Sequence, residues 1–289
     1  MKSYIKVIAS MLIWGTLPVF VSKIPQSSSE IVMWRIIFGI LFLLVVQGLS
    51  KNKSPLNDWK APAPKMILSG FFMGTNWVAL FEAYRYVGPS IATLIYYLAP
   101  IIVMIASFII FKEKLGPVKI AGTASALIGM FIVTGIGSGG DSPIKGLLLA
   151  FTAATCYACV TLFNKGVKGL SGVERTLLQL LGAGLIMIPY AIITHQGPWL
   201  DFTSEAGIFA VLIGVLHSGF ALFLYFSSIQ ELPAQSVALC SYIDPASALF
   251  FSAVLLGDAL GPVQLIGAIM MLGGAAAGEI FGNRPIKRC

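Results

Sequence analysis

Apolar residues in this chain come in long, nearly unbroken runs rather than in alternation or in narrow helical stripes. Residues 90–111 (SIATLIYYLAPIIVMIASFIIF) and 206–229 (AGIFAVLIGVLHSGFALFLYFSSI) contain no Asp, Glu, Lys or Arg. A helix needs about 20 such residues to cross the hydrocarbon of a bilayer. Division at polar, Pro and Gly punctuation predicts ten spans, at about 4–24, 29–48, 65–86, 90–111, 117–136, 144–164, 174–194, 206–229, 234–256 and 262–281. The connectors are short. The longest, LSKNKSPLNDWKAPAP at 49–64, is basic and Pro-containing, and no soluble domain remains. The predicted fold class is an all-α membrane protein with ten transmembrane helices.

Composition agrees with that reading. Of 289 residues, 57% are hydrophobic and 11% charged, against about 25% charged in soluble domains. The net charge of +7 does not point to nucleic acid, because the basic residues sit in loops between apolar spans and no nucleic-acid motif accompanies them. Their placement orients the chain. Lys2, Lys6, Lys51, Lys53, Lys60, Lys65, Lys112, Lys114, Lys119, Lys165, Lys168, Arg175, Arg284, Lys287 and Arg288 fall on one side. Lys23, Arg85 and Lys145 fall on the other. Both termini are therefore expected to be cytoplasmic. The first apolar stretch reads as the first span rather than as a cleaved signal, since no small-residue cleavage site ends it. Cys156 and Cys159 form a CxxC inside an apolar helix, where cysteine packs as a small hydrophobe.

One stretch occurs twice. Residues 112–122 read KEKLGPVKIAG and residues 257–267 read GDALGPVQLIG, a shift of 145. Without gaps, the same shift places Gly74 on Gly219, Phe81 on Phe226, Tyr97 on Tyr242, Pro100 on Pro245 and Gly122 on Gly267. The chain is expected to comprise two five-helix repeats, residues 1–138 and 139–289. Five is odd, so the second unit enters the membrane from the opposite side and the repeats are inverted. The second copy loses its lysines because it faces outward. Transporters use this plan, with a site between the halves near the midplane.

Several pieces together resemble the drug/metabolite transporter superfamily, EamA type: Trp14-Gly15 in span 1, Arg35 in span 2, the Ala-rich turn from Tyr84 to Ala92, Pro100 with Glu113, and Pro245 with Asp258. The resemblance covers nearly the whole chain. It implies a central cavity walled by spans 1, 3, 4, 6, 8 and 9, and a place in the cytoplasmic (inner) membrane of a prokaryote. It also implies export of small metabolites, amino acids (aromatic ones and threonine included) among them. The family's relatives include nucleotide-sugar and triose-phosphate carriers. EamA-type proteins often carry Glu before the Pro of span 9, where this chain has Asp244.

Polar groups inside a membrane are expensive and face a cavity or a partner. Asp244 lies about 15 Å into span 9 at 1.5 Å per residue. The following Pro245 frees the carbonyl of Ser241, so Asp244 is a candidate for binding an amine or a proton, or for fixing a neighbouring helix. Tyr97 and Tyr242 are candidate cavity residues, with helix packing as the alternative. Pro100 and Pro245 are candidate hinges. Trp14, Asn76, Trp77 and Tyr157 are deep enough to wall a cavity or to pack, and His217 is a candidate ligand contact, proton carrier or structural group. Arg35 reads either as snorkelling outward or as an outer gate that meets a substrate carboxylate. Glu82 and Arg85 suit an i, i+3 pair. Lys23 and Lys165 read as snorkelling residues at span ends.

No phosphate loop, metal cluster or nucleophile–base pair can be assembled. GIGSGG at 135–140 reads as an outer loop. The expectation is that the protein is not an enzyme and needs no cofactor. It is expected to be a secondary transporter, moving a small-molecule substrate across a lipid bilayer, with protons as a candidate coupling ion. A drug or organic-cation exporter and a non-transporting membrane scaffold are the alternatives. Phosphate esters are disfavoured because the predicted mid-membrane region holds no Lys or Arg, with only Arg35 coming close.

Overall fold

The computed structural model describes residues 2–49, 59–113, 116–134, 144–257 and 261–282. Among these residues the fold is entirely helical. Seven helices are long and apolar enough to cross a membrane: Lys2–Val21, Ser28–Leu49, Ala63–Val87, Ile144–Gly166, Gly172–Thr194, Glu205–Ser228 and Ala234–Leu256. Three shorter apolar helices, Ala99–Phe111, Pro117–Ile132 and Leu265–Phe281, complete the ten. The protein is a multi-pass membrane protein. Large apolar side chains such as Ile109, Leu185, Ile193 and Ile269 are exposed on its outer surface, as a lipid-facing wall requires.

Spans 1, 4 and 9 are interrupted near a proline, whereas Pro189 lies inside the unbroken helix Gly172–Thr194. Span 1 breaks at Thr16, between Lys2–Gly15 and Leu17–Val21, which contains Pro18. Predicted spans 3 and 4 share one helical run, Ala63–Tyr96. The chain nevertheless turns back inside it. Thr93 Oγ1 lies 3.5 Å from the Tyr84 hydroxyl, and Asn76 and Tyr96 line one cavity, although twenty residues of straight helix would part them by about 30 Å. The reversal falls between Tyr84 and Thr93, where Pro89 removes a backbone donor. Span 4 then breaks at Tyr97-Leu98 before the helix Ala99–Phe111. Span 9 breaks at Ser241-Tyr242, between Ala234–Cys240 and Ile243–Phe251.

Spans 5 and 10 show how the halves are related. A Cβ on Gly122 would meet the Gly274 carbonyl oxygen at 2.4 Å, and one on Gly129 would meet that of Gly267 at 2.5 Å. The repeat shift carries Gly122 to Gly267 and Gly129 to Gly274, so the two contacts are one contact seen from either half. Ser125 Oγ donates to the carbonyl of Met270, its own equivalent 145 residues on, at 3.2 Å. Reciprocal pairing of this kind is the mark of a two-fold relation. The two helices run antiparallel and their glycines let the backbones touch.

Every other major contact has its counterpart. Span 3 packs on spans 6 and 7, and span 8 on spans 1 and 2. Span 4 packs on span 6, and span 1 on span 9. At the last crossing a Cβ on Gly15 would sit 2.0 Å from Ser247 Oγ. The fold is thus two inverted five-helix repeats whose helices interleave rather than form separate lobes. The boundary expected at 138/139 lies outside the described residues, as do GIGSGG and Asp258.

Candidate functional site

The interleaving leaves a cavity of about 310 Å³ at the crossing of the halves, within the range of small-molecule sites. Its wall comes from spans 1 (Met11, Trp14, Leu17), 3 (Met73 to Tyr84), 4 (Thr93 to Pro100), 6 (Tyr157, Val160), 8 (Leu222, Tyr225, Phe226) and 9 (Ser241, Asp244). These are the six spans the sequence resemblance implied. Arg35 adds span 2.

Each polar wall residue has a local reason for its place. Asn76 Nδ2 donates to the Ala153 carbonyl at 2.6 Å, tying span 3 to span 6. The Tyr157 and Tyr225 hydroxyls are 3.3 Å apart, and Trp14 lies 5.3 Å from the Tyr225 ring. Trp14 Nε1 donates to the carbonyl of His217 at 3.0 Å. Arg35 does not snorkel outward. Its Nε donates to Ser218 Oγ at 2.8 Å, and its guanidinium carbon is 5.4 Å from the Trp77 ring centre. Asp244 sits in the first turn of the second piece of span 9, so the break before Pro245 aims it into the cavity. Ser241 Oγ is turned back on the Val237 carbonyl at 3.0 Å.

Of the residues singled out in the sequence, Trp14, Arg35, Asn76, Trp77, Tyr97, Pro100, Tyr157 and Asp244 therefore converge on one space. His217 and Tyr242 lie behind it. His217 is fully buried in a π-helical stretch of span 8, Ile213–Ala221. Its Nε2 is 3.0 Å from Thr16 Oγ1 and its ring packs on Phe20. Tyr242 is fully buried against Ala126 and Ala275 and stacks on Tyr97. Tyr225 and Phe226 went unrecognised as wall residues. The match of Phe226 to Phe81 under the repeat shift was the available signal, because Phe81 lines the same cavity.

A second space of about 380 Å³ shares Trp14, Leu17, Tyr84, Thr93, Tyr97 and Asp244 with the first. It continues past Pro245, Ala248, Leu249 and Ser252, so the cavity extends toward the Ser252 end of span 9. The opposite end is closed by polar contacts. Lys165 Nζ, at the end of span 6, donates to Glu113 Oε1 at 2.5 Å and to the Leu232 carbonyl at 2.9 Å. The backbone amides of Ala234 and Gln235 also donate to the Glu113 carboxylate, at 3.0 and 3.3 Å, and Gln235 Nε2 donates to the Glu113 carbonyl at 3.2 Å. Burial pushes the Glu113 carboxyl up, but the Lys165 ammonium and the two amides outweigh it and hold the group below its usual range. Lys165 is thus one half of a latch between spans 4, 6 and 9, not a residue reaching for the lipid headgroups. Nearby, Ser3 bonds to Glu231 and Tyr4 to Glu279.

Comparison with known proteins fits this geometry. An uncharacterised transporter of Bacillus subtilis, YxxF, is 29% identical over 277 residues, covering 94% of this chain and 88% of the relative. A probable amino-acid metabolite efflux pump of Salmonella typhimurium is 25% identical over 218 residues, covering 71% and 72%. A riboflavin transporter of Fusobacterium nucleatum, ImpX, is 28% identical over 194 residues, covering 63% and 64%. A solved crystal structure superposes with a TM-score of 0.83 at 17% identity, covering 98% of this chain and 99% of its own, which shows a shared fold. The model of the EamA-like transporter family matches residues 1–135 and 144–277. The chain belongs to the EamA-like transporter family.

Proposed function

We propose that the protein is a secondary transporter that exports small organic metabolites, amino acids foremost, by alternating access. The observation that carries this reading is the cavity at the crossing of two inverted repeats, extended toward one end and latched at the other. In the orientation the basic residues favour, the Glu113–Lys165 latch is cytoplasmic and the Ser252 end is outer, which supports reading this as an outward-facing state. An inward-facing state then requires the latch to part. Tyr97-Leu98 and Ser241-Tyr242, the paired breaks before Pro100 and Pro245, are the natural hinges, because interrupted helices in corresponding places of two repeats flank transporter sites. Trp14, Asn76, Trp77, Tyr97, Tyr157 and Asp244 form the substrate wall, with Tyr242 and His217 as a supporting layer. The repeats divide at about 138/139. The protein resides in the cytoplasmic membrane with both termini inside, and Asp244 is the candidate proton carrier.

Amino-acid transport is also supported by the kinship with a probable amino-acid metabolite efflux pump. The test is counterflow of labelled amino acids in proteoliposomes of the purified protein. Saturable exchange is expected. No exchange across a broad metabolite panel overturns the reading and favours a scaffold. The rival reading, export of organic cations, draws on the Asp244 carboxylate facing the cavity. It requires that Asp244→Asn abolish cation movement while sparing neutral substrates.

A further inference from the structure

Arg35 and Asp244 enter one cavity from different spans with opposite charge. Among the described residues the ion pairs within 4.0 Å are Arg85–Glu82, Lys165–Glu113 and His195–Glu30, so Arg35 and Asp244 do not neutralise each other by contact. Arg35 is positioned by Ser218 at its Nε and by the face of Trp77. Its two terminal amino groups carry no hydrogen bond among the described residues, which leaves its fork free for a bidentate carboxylate contact. The Asp244 carboxylate likewise carries none; the one bond recorded at Asp244 ends on its backbone carbonyl.

Unpaired charges deep in a membrane protein are costly. A monocation bound here would neutralise Asp244 and strand Arg35. A monoanion would do the reverse. A ligand that carries both charges satisfies both at once, and the pairing rejects the other two classes by leaving them a stranded charge. The wall also holds the uncharged polar groups of Asn76, Thr93, Ser241 and several tyrosines, and it offers apolar and aromatic faces at Trp14, Val160, Leu222 and Phe226. The geometry points to a zwitterionic ligand held by its two ends, carboxylate on Arg35 and ammonium on Asp244, with an apolar side chain against Trp14 and Phe226. The inference rests on the transport reading above and narrows its substrate to molecules with a free carboxylate and a free ammonium.

The test is counterflow in proteoliposomes with L-phenylalanine, L-leucine and L-tryptophan, each beside its amide (a cation) and its N-acetyl derivative (an anion). The parent amino acids are expected to exchange at least about tenfold faster than either derivative, since a site built for a polar group rejects analogues lacking it. In Arg35→Gln the amides should close on the parents, and in Asp244→Asn the N-acetyl forms should. Ligand-induced thermal shifts on the same variants give a second reading that does not need turnover. If an amide or N-acetyl form moves as fast as its parent in the unmodified protein, the zwitterion inference fails and transport stands. If none of the nine compounds moves or shifts the melting point but other metabolites exchange, the inference again fails alone. If nothing in a broad panel moves, both readings fall.

Discussion

Tyr97 and Tyr242 stack on each other across the centre of the molecule, with ring centres 6.3 Å apart and planes 28° from parallel. They are equivalent positions of the two repeats, and each stands at the break of its span. Their contact lies on the same relation that joins Ser125 to Met270. One ring lines the cavity and the other does not, so near-symmetry of backbone supports an asymmetric site.

That asymmetry gives the first prediction. The Tyr242 hydroxyl is buried and has no hydrogen-bond partner among the described residues. Tyr242→Phe should leave the melting temperature in detergent unchanged or raise it, because removing an unsatisfied buried group relieves a desolvation penalty. Tyr242→Ala should lower stability by about 3–5 kcal/mol, as expected for a large buried ring. An equal loss in both variants would mean the hydroxyl is bonded after all.

The crossing of spans 5 and 10 leaves no room for a methyl group at Gly122 or Gly129. Gly122→Ala should destabilise the protein by about 1–3 kcal/mol through overpacking, and Gly122→Leu should prevent stable purification. Differential scanning fluorimetry on the pair, with Gly48→Ala as a control at an open position, checks this.

Loss of the latch should favour the inward-facing state. Glu113→Gln or Lys165→Met removes the ion pair and weakens the hold on Ala234 and Gln235. Charge-assisted bonds of this kind are worth about 2 kcal/mol, enough for roughly a thirtyfold shift in population. Cys240 lies buried in the first piece of span 9 and serves as the reporter, in a background with the other cysteines replaced by serine. Its maleimide labelling should speed up in both variants, and unchanged rates would remove the latch from the mechanism.

The same latch has a pH signature. The Glu113 carboxyl is held below its usual value near 4.5, so its contribution is fully present at neutral pH and is lost as pH falls through the lowered value. The stability difference between the unmodified protein and Glu113→Gln should hold from neutral pH down to about the usual carboxylate value, then shrink below it. Melting curves recorded down to that acidic range test the sign.

His217 separates wall from support. It is buried behind Trp14, with its backbone carbonyl holding the Trp14 indole. His217→Ala should lower stability by about 2–4 kcal/mol, the scale of a buried large-to-small change, while leaving the order of preference among substrates unaltered. A changed preference, measured by competition in proteoliposomes, would place the imidazole at the substrate.

The sequence by itself determined the class, the ten crossings and the inversion. Runs of about 20 apolar residues have one stable fate in hydrocarbon, and an odd-numbered repeat must flip. Pro100 and Pro245, at equivalent places, marked the broken spans 4 and 9, whereas Pro189 sits in an unbroken helix, so a missing N–H signals a break without dictating one. What the sequence did not decide was the direction of single side chains. Arg35 near a span end is equally free to rise to the interface or to turn inward, and Ser218 and Trp77, far away in sequence, decided for inward. Lys165 and Glu113 are ordinary charges at the ends of two spans until spans 4, 6 and 9 meet. Tyr97 and Tyr242 are equivalent in sequence, yet the packing of Ala126 and Ala275 around the second closes it off from the cavity. Periodicity and punctuation act along the chain and survive in a linear reading. Which charge faces which across a cavity depends on helices that find each other only when the two halves interleave.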